Sequence, residues 1–229
     1  MLKALIFDCY GTLISTGNGS VEATKEILNN IGSNLDPVEF YRKWKELHKE
    51  HSRQLKHFTN EKNIFIKDLK VLFKIHNIKK DHKIHIEPML NSLYGRKIYN
   101  DVVDNIKILK KDYHIFIASN SDTEPLLENI GNECYLFDGI YTSEILKSYK
   151  PSKIFFDKLI KKIKYRKEEV LYIGDSIEDD IIGSNNFGIM NVLINRDNKE
   201  IYDIKANYVI KSFYELRLIT GCEKRRNST

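Results

Sequence analysis

Residues 2–14 have the sequence LKALIFDCYGTLI. An almost unbroken apolar run ends at Asp8, and the turn-like segment Tyr10-Gly11-Thr12 follows it closely. Short apolar runs bounded by turn residues are typical of strands that are buried on both faces, as in parallel sheets. We therefore predict a buried first strand with an acidic residue at its carboxyl end.

Further along the chain, strand-like and helix-like segments alternate. The strand-like segments are 114–120 (HIFIASN), 170–176 (VLYIGDS), 190–196 (MNVLINR) and 208–210 (YVI). Ser121 and Glu124 have the spacing of a capping box, which predicts a helix after the first of these segments. Strands that alternate with helices indicate a parallel sheet with helices on both faces. The predicted fold class is therefore α/β.

Residues 17–92 have a different pattern, because no segment there alternates like a strand. Apolar residues recur at spacings of three and four, which is typical of amphipathic helices. Asp36 and Pro37 mark the start of one such helix, with Asp36 as the N-cap and Pro37 at the first helical position. We predict a helical insert over 17–92 that separates two parts of one core, 1–16 and 93–229.

The chain has 229 residues and a net charge of +5, with its basic residues scattered or in short clusters. Nucleic-acid binding would need basic residues and aromatics gathered on one face, whereas a mildly positive surface favours a small anionic substrate. No apolar run approaches the ~18 residues of a membrane span. The three cysteines are odd in number and lack metal-type spacing, which favours a reducing compartment. We expect a cytoplasmic monomer or homodimer that binds neither nucleic acid nor membrane.

Polar residues follow the predicted strands directly: Asp8, the pair Ser119-Asn120, and Asp175-Ser176, with Lys150 just before a later helix. The carboxyl ends of parallel strands meet at one edge of a sheet, so these side chains should converge. A carboxylate such as Asp8 can attack carbon or phosphorus and form a covalent intermediate. Lys150 can keep it charged, Ser119 and turn N–H groups can hold an anion, and Asp8 with Asp175 offers oxygen ligands for Mg²⁺.

Four segments resemble the four motifs of the haloacid dehalogenase superfamily, in the family's order: FDCYGTLI, IASNS, YKPSKIFF and IGDSIEDDIIG. The resemblance implies a Rossmann-like core with an inserted helical cap. It implies Asp8 as nucleophile, Thr12 and Ser119 as binders of the substrate group, and Lys150 as the charge-holding lysine. Asp175 matches the first acid of the fourth motif. The second acid falls on Asp179 or Asp180, and we favour Asp180.

The sequence departs from the family's phosphatases at Tyr10, where they carry a second aspartate that protonates the leaving group. A tyrosine, with a reference pKa of about 10, replaces that acid poorly, and a halide leaving group needs no proton. At this position the sequence resembles the 2-haloacid dehalogenase branch, which has a Tyr before Gly-Thr and in which a cap arginine, here best matched by Arg42, assists the halide. Asp175 indicates the opposite, because dehalogenases tend to be uncharged there, and the Tyr10 carbonyl can still be a Mg²⁺ ligand.

We therefore predict a hydrolase that uses Asp8 as a covalent nucleophile, with a slight preference for a small 2-substituted carboxylic acid as substrate and with Asp180 activating water. A Mg²⁺-dependent phosphatase of a small phosphorylated metabolite is the alternative. A ligand-binding module that retains the motifs without catalysis is a third hypothesis, from another functional class.

The predicted insert is rich in aromatic residues: Phe40, Tyr41, Trp44, Phe58 and Phe65. They are candidates for lining a substrate pocket, because a cap that covers a site decides specificity. Aromatics at helical spacing more often pack in the core of their own domain, and we favour that interpretation.

Overall fold

A computed structural model describes residues 1–200 and 205–222. Its sheet has six parallel strands in the order β3-β2-β1-β4-β5-β6. The strands are β1 (Ala4–Phe7), β2 (His114–Ser119), β3 (Gly139–Thr142), β4 (Val170–Gly174), β5 (Met190–Ile194) and β6 (Tyr208–Ile210). The α/β class with a Rossmann-like sheet is thereby confirmed.

Helices connect the strands and form the insert. They are α1 (Gly19–Asn30), α2 (Pro37–Arg53), α3 (Glu61–Ile75), α4 (His82–His85), α5 (Glu87–Asn91), α6 (Val103–Leu109), α7 (Thr123–Ile130), α8 (Ser143–Leu146), α9 (Lys153–Ile163), α10 (Gly183–Phe187) and α11 (Phe213–Thr220). Short 3-10 turns cover Gly131–Leu136 and Lys167–Glu169, and a wide turn of the π type covers Ile177–Ile182. Within the described residues, no helix is both long and apolar enough to cross a membrane.

Strand β1 lies at the centre of the sheet, and its position explains why the polar strand ends meet. Phe7 is level with Ile117 of β2 and with Ile173 of β4. The N–H of Asp8 donates to the carbonyl of Ile173 at 2.8 Å, which extends the ladder by one residue. The carboxyl ends of β1, β2 and β4 therefore share one edge of the sheet.

The two faces of the sheet bury different side chains, because successive residues of a strand point to opposite sides. Ile6 and Tyr172 belong to a cluster with Phe155 and Phe156 of α9, whereas Phe7 stacks on Phe213 of α11 with ring centroids 5.3 Å apart. Each fully buried aliphatic or aromatic side chain contributes roughly 1.5–3 kcal/mol. These layers form one compact unit, composed of 1–15, 97–120 and 130–229.

A second compact unit consists of 16–96 and 121–129. Its core contains Phe40 and Trp44, which are 2% and 0% exposed, and Tyr41 and Phe65 pack against it. Packing inside this unit therefore accounts for four of the five aromatics proposed above. The carboxylate of Asp122 accepts hydrogen bonds from the backbone N–H groups of Glu61 and Lys62, and so caps the start of α3.

Candidate active site

The edge formed by β1, β2 and β4 carries the cluster that the sequence predicts. Asp8 follows β1, Asn120 follows β2, and Asp175 follows β4. Lys150 comes from the loop before α9, and Asp180 from the turn Ile177–Ile182. Asp8, Lys150 and Asp180 are 7%, 3% and 1% exposed, so their charges lie largely out of water. Buried charges of this kind are found where they are paired or bind an ion.

The ammonium of Lys150 contacts three other residues of this cluster. Its nitrogen lies 2.6 Å from an oxygen of Asp8 and 2.6 Å from an oxygen of Asp180. It also donates to the hydroxyl of Tyr172 at 3.0 Å. An ammonium has three N–H donors, so each of them has a partner. Lys150 thereby joins the end of the first strand to the turn after the fourth.

The backbone of Lys150 is fixed by a single side chain. Asn120 accepts a hydrogen bond from the N–H of Lys150 at 2.7 Å and donates to its carbonyl at 3.1 Å. An amide offers one acceptor and two donors, and this geometry uses both kinds. The amide of Asn120 therefore contacts the backbone of the lysine loop, and this contact fixes where the Lys150 side chain starts.

The turn after β4 brings the carboxylate of Asp180 to Lys150. The hydroxyl of Ser176 accepts from the N–H of Asp179, and the carbonyl of Ser176 accepts from the N–H of Asp180. The carboxylate of Asp180 in turn accepts from the N–H of Ser176 at 2.9 Å. These bonds shape the turn so that the carboxylate of Asp180 contacts Lys150.

Two glycines make room for the acids. A Cβ on Gly174 would lie 2.3 Å from the carboxylate of Asp180, and a Cβ on Gly11 would lie 2.3 Å from that of Asp175. Gly11 also has a φ of +89°, which other residues rarely adopt. The close approach of the acids to the backbone therefore depends on both glycines.

The cluster contains three carboxylates and one ammonium, which pairs with Asp8 and Asp180. One oxygen each from Asp8, Asp175 and Asp180 lie within 4.8 Å of one another. Burial, together with the charges of Asp180 and Asp175, raises the pKa of Asp8 to about 8 against the attraction of Lys150. Burial acts to lower the pKa of Lys150, but Asp180 and Asp8 hold it well above its ordinary value. The acids outnumber the cation, and oxygen ligands at this spacing fit a hard divalent ion such as Mg²⁺.

Asp175 lies at the rim of the cluster, where its side chain is exposed to solvent. Desolvation by surrounding protein, and then the charge of Asp180, raise its pKa to about 6 against the attraction of Lys150. The hydroxyl of Thr12 lies 3.5 Å from Asp175, and Ser119 is buried at the end of β2. The structure thus places both predicted binders of the substrate group on the edge that carries the acids.

Arg42 belongs to the helical unit, on α2. Its guanidinium donates to Glu39 at 2.9 Å and also pairs with Glu46, one turn along the same helix. These acids hold the pKa of Arg42 above its ordinary range. The predicted role in assisting a halide would require Arg42 to exchange these partners for the leaving group.

Tyr172 is the member of the cluster that the sequence patterns did not identify. It lies inside a strand whose other members are apolar, VLYIG, and a polar side chain at such a position is the signal that was available. A buried tyrosine hydroxyl nearly always has a hydrogen-bond partner. Nothing in the strand pattern indicates which residue that partner is.

A family model described as haloacid dehalogenase-like hydrolase matches residues 2–188. The chain is 25% identical to the glyceraldehyde 3-phosphate phosphatase of Methanothermobacter thermautotrophicus, with 96% of each chain covered. It is 29% identical to the pyrimidine 5'-nucleotidase PynA of Streptococcus pneumoniae, with 51% of this chain and 50% of that protein covered. The second alignment thus spans about half the length of that relative.

Solved structures resemble the whole fold. The L-2-haloacid dehalogenase from Xanthobacter autotrophicus has a TM-score of 0.77 at 18% identity, with 96% of this chain and 99% of that chain covered. The HAD-hydrolase YfnB from Bacillus subtilis, bound to magnesium, has a TM-score of 0.76 at 20% identity, with 95% and 98% covered. At this identity the likeness concerns the fold. It includes a dehalogenase and a magnesium-bound hydrolase alike.

Proposed function

Because the chain belongs to the haloacid dehalogenase-like hydrolases, we propose that it is a Mg²⁺-dependent phosphatase in which Asp8 attacks a small phosphorylated metabolite. The relatives include both phosphatases and a dehalogenase, so the choice of reaction rests on the site. The observation that carries the proposal is the trio of carboxylates, Asp8, Asp175 and Asp180, whose oxygens lie within 4.8 Å of one another while one lysine pairs with Asp8 and Asp180. A bound divalent cation would offset this excess of negative charge.

Each residue of the site has a distinct role in this reaction. A carboxylate oxygen of Asp8 attacks phosphorus, the bond from phosphorus to the ester oxygen breaks, and an aspartyl phosphate forms. Water then attacks the phosphorus of this intermediate, which releases phosphate and regenerates Asp8. Lys150 favours the ionised form of Asp8 and offsets charge that develops on the transferred group. Thr12 and Ser119 contribute hydroxyl groups that can hold the phosphoryl oxygens.

Asp8, Asp175 and the carbonyl of Tyr10 are the groups that would hold Mg²⁺. The bound ion supplies positive charge that offsets the carboxylates and the phosphate oxygens. Asp180 faces Lys150 and accepts from the N–H of Ser176, which orders the turn that follows Asp175. In this assignment Asp180 positions the site, and it is also the acid that would activate water.

A substrate panel tests the proposal. We expect the protein to release phosphate from p-nitrophenyl phosphate and from small sugar or nucleoside phosphates, and to lose this activity with EDTA and regain it with added Mg²⁺. Asp8→Asn is the matched control, because it removes the nucleophilic oxygen with almost no change in shape. EDTA-resistant halide release from 2-chloropropionate, without phosphate release, would overturn the proposal. Equal rates for the wild type and Asp8→Asn would instead support the ligand-binding module.

Dehalogenation is the second candidate, and one observation favours it. Tyr10 occupies the position of the aspartate that protonates an alkoxide leaving group, and a halide leaves without a proton. General acid catalysis is worth about 10²–10⁴-fold, so phosphate esters with poor leaving groups should react slowly. The same panel separates the two candidates, because p-nitrophenyl phosphate is a phosphatase substrate whose leaving group, p-nitrophenolate, departs without a proton as a halide does.

A further inference from the structure

We propose that Tyr172 is a positioning residue that holds the ammonium of Lys150 between Asp8 and Asp180, an inference that rests on the proposed function. Tyr172 is fully buried on β4, three residues before Asp175. Its hydroxyl lies 3.0 Å from the ammonium of Lys150 and 3.2 Å from Asp180. A single neutral oxygen therefore contacts two of the charged groups of the site.

The direction of each hydrogen bond follows from what the groups can donate. An ammonium only donates and an ionised carboxylate only accepts. The oxygen of Tyr172 therefore accepts from Lys150, and its one proton is directed to Asp180 or to the carbonyl of Ala118 at 3.1 Å. Without this oxygen, the third N–H of Lys150 would have no acceptor in a position that is 3% exposed.

Packing of the Tyr172 ring fixes the position of its hydroxyl oxygen. The ring packs edge-on against Phe156, with ring centroids 5.5 Å apart, in the core between the sheet and α9. A ring locked in a close-packed core has one rotamer, whereas the four-carbon stem of lysine is flexible. Asn120 fixes the backbone of Lys150 and Tyr172 fixes its tip, so the ammonium is held at both ends.

The consequence concerns the rate rather than the binding of substrate. If the hydroxyl is removed, Lys150 still carries its charge but can move away from Asp8. Loss of a hydrogen bond to a charged group predicts a fall in kcat of about tenfold. Because Tyr172 is fully buried behind Lys150, KM should stay within about twofold.

Tyr172→Phe removes the oxygen and leaves the packing intact. Tyr113→Phe is the matched control, because the hydroxyl of Tyr113 is also largely buried and donates to the carbonyl of Thr220 at 2.8 Å. Both variants should lose stability in urea denaturation, but we expect the fall in kcat in Tyr172→Phe alone. An unchanged kcat in Tyr172→Phe, or an equal fall in the control, would overturn the proposal.

A double-mutant cycle shows whether Tyr172 acts through Lys150. The free energy of unfolding is measured for the wild type, Tyr172→Phe, Lys150→Met and the double variant, and coupled residues give non-additive changes. If Lys150→Met does not fold, Asp180→Asn replaces it in the cycle. Additive changes would refute the contact. This measurement needs no substrate. If the wild type has no hydrolytic activity, the proposed function is wrong, but the cycle still measures the coupling of Tyr172 to its partners.

Discussion

Replacing Gly174 by alanine tests how tightly the backbone and the acids fit together. The added Cβ would lie 2.3 Å from the carboxyl carbon and from one oxygen of Asp180, whereas ordinary contact begins at 3.4 Å. Asp180 must therefore retreat by roughly 1 Å, the difference between those distances. Its bond to Lys150, now 2.6 Å, would exceed the ~3.2 Å at which such bonds remain effective.

The energy follows from these displacements. A lost hydrogen bond between charged groups costs about 1.5–3 kcal/mol, and overpacking adds about 1–3 kcal/mol. Replacement of glycine by alanine lowers the conformational entropy of the unfolded chain, which raises the free energy of unfolding by about 0.4–1 kcal/mol. We expect Gly174→Ala to lower the free energy of unfolding by about 2–5 kcal/mol, a large part of the ~5–15 kcal/mol of a typical domain. A misplacement of ~1 Å should also lower kcat by about 10²-fold.

Urea denaturation at pH 7 gives the first quantity, and phosphate release from p-nitrophenyl phosphate gives the second. Gly19→Ala is the matched control, because the nearest atom to its new Cβ is the carbonyl oxygen of Ser92 at 3.9 Å. That variant should keep its rate and remain within about 1 kcal/mol of the wild type. If Gly174→Ala behaves like the control in both assays, the close approach of Asp180 to the backbone does not hold that carboxylate in place.

Three further predictions concern single residues. Tyr10→Asp should raise kcat for alkyl phosphates by roughly 10²–10⁴-fold and much less for p-nitrophenyl phosphate, because only the alkoxide needs a proton; equal gains would contradict this. Mg²⁺ at a hundredfold excess over its Kd should stabilise the wild type by about 2.7 kcal/mol in urea denaturation, and a gain that survives in Asp175→Asn would remove Asp175 from the ligand set. Hydrogen bonds from Lys3 and Arg166 lower the pKa of Glu169 from 4.5 to about 2, so its ionised form stabilises the fold above pH 4.5 and that stability is lost as the pH falls toward 2. Glu169→Gln should therefore be less stable than the wild type at pH 7, with the difference in unfolding free energy shrinking on acidification and not growing.

Much of the site could be predicted from the sequence, because a parallel sheet converts order along the chain into proximity. Each of β1, β2 and β4 is a short apolar run, and the polar residue after each run had to emerge at the same edge. Asp8 and Asp175 were recognisable for that reason, and Lys150 was recognisable from its place before a helix and from the order of the segments. Their chemical roles remain predictions that the proposed experiments address.

Other features depended on contacts that no local pattern encodes. The position of Asp180 depends on a wide turn in which Ser176 bonds to both Asp179 and Asp180. Arg42 has acids on either side along its own helix, and only the rotamers of the folded protein decide that it pairs with them. Asn120 is polar at a strand end like Ser119, yet its amide contacts the lysine loop 30 positions away.

Hydrophobic periodicity and turn residues act over a few neighbouring positions, so the sequence predicts the class of fold, the edge of the sheet where the polar strand ends meet and the residue types available there. The tertiary structure alone decided which donor meets which acceptor, as it does for Tyr172 and Lys150. A hydrogen bond is made or lost within about half an ångström. At that scale, position is set by the packing of segments that are far apart in the chain.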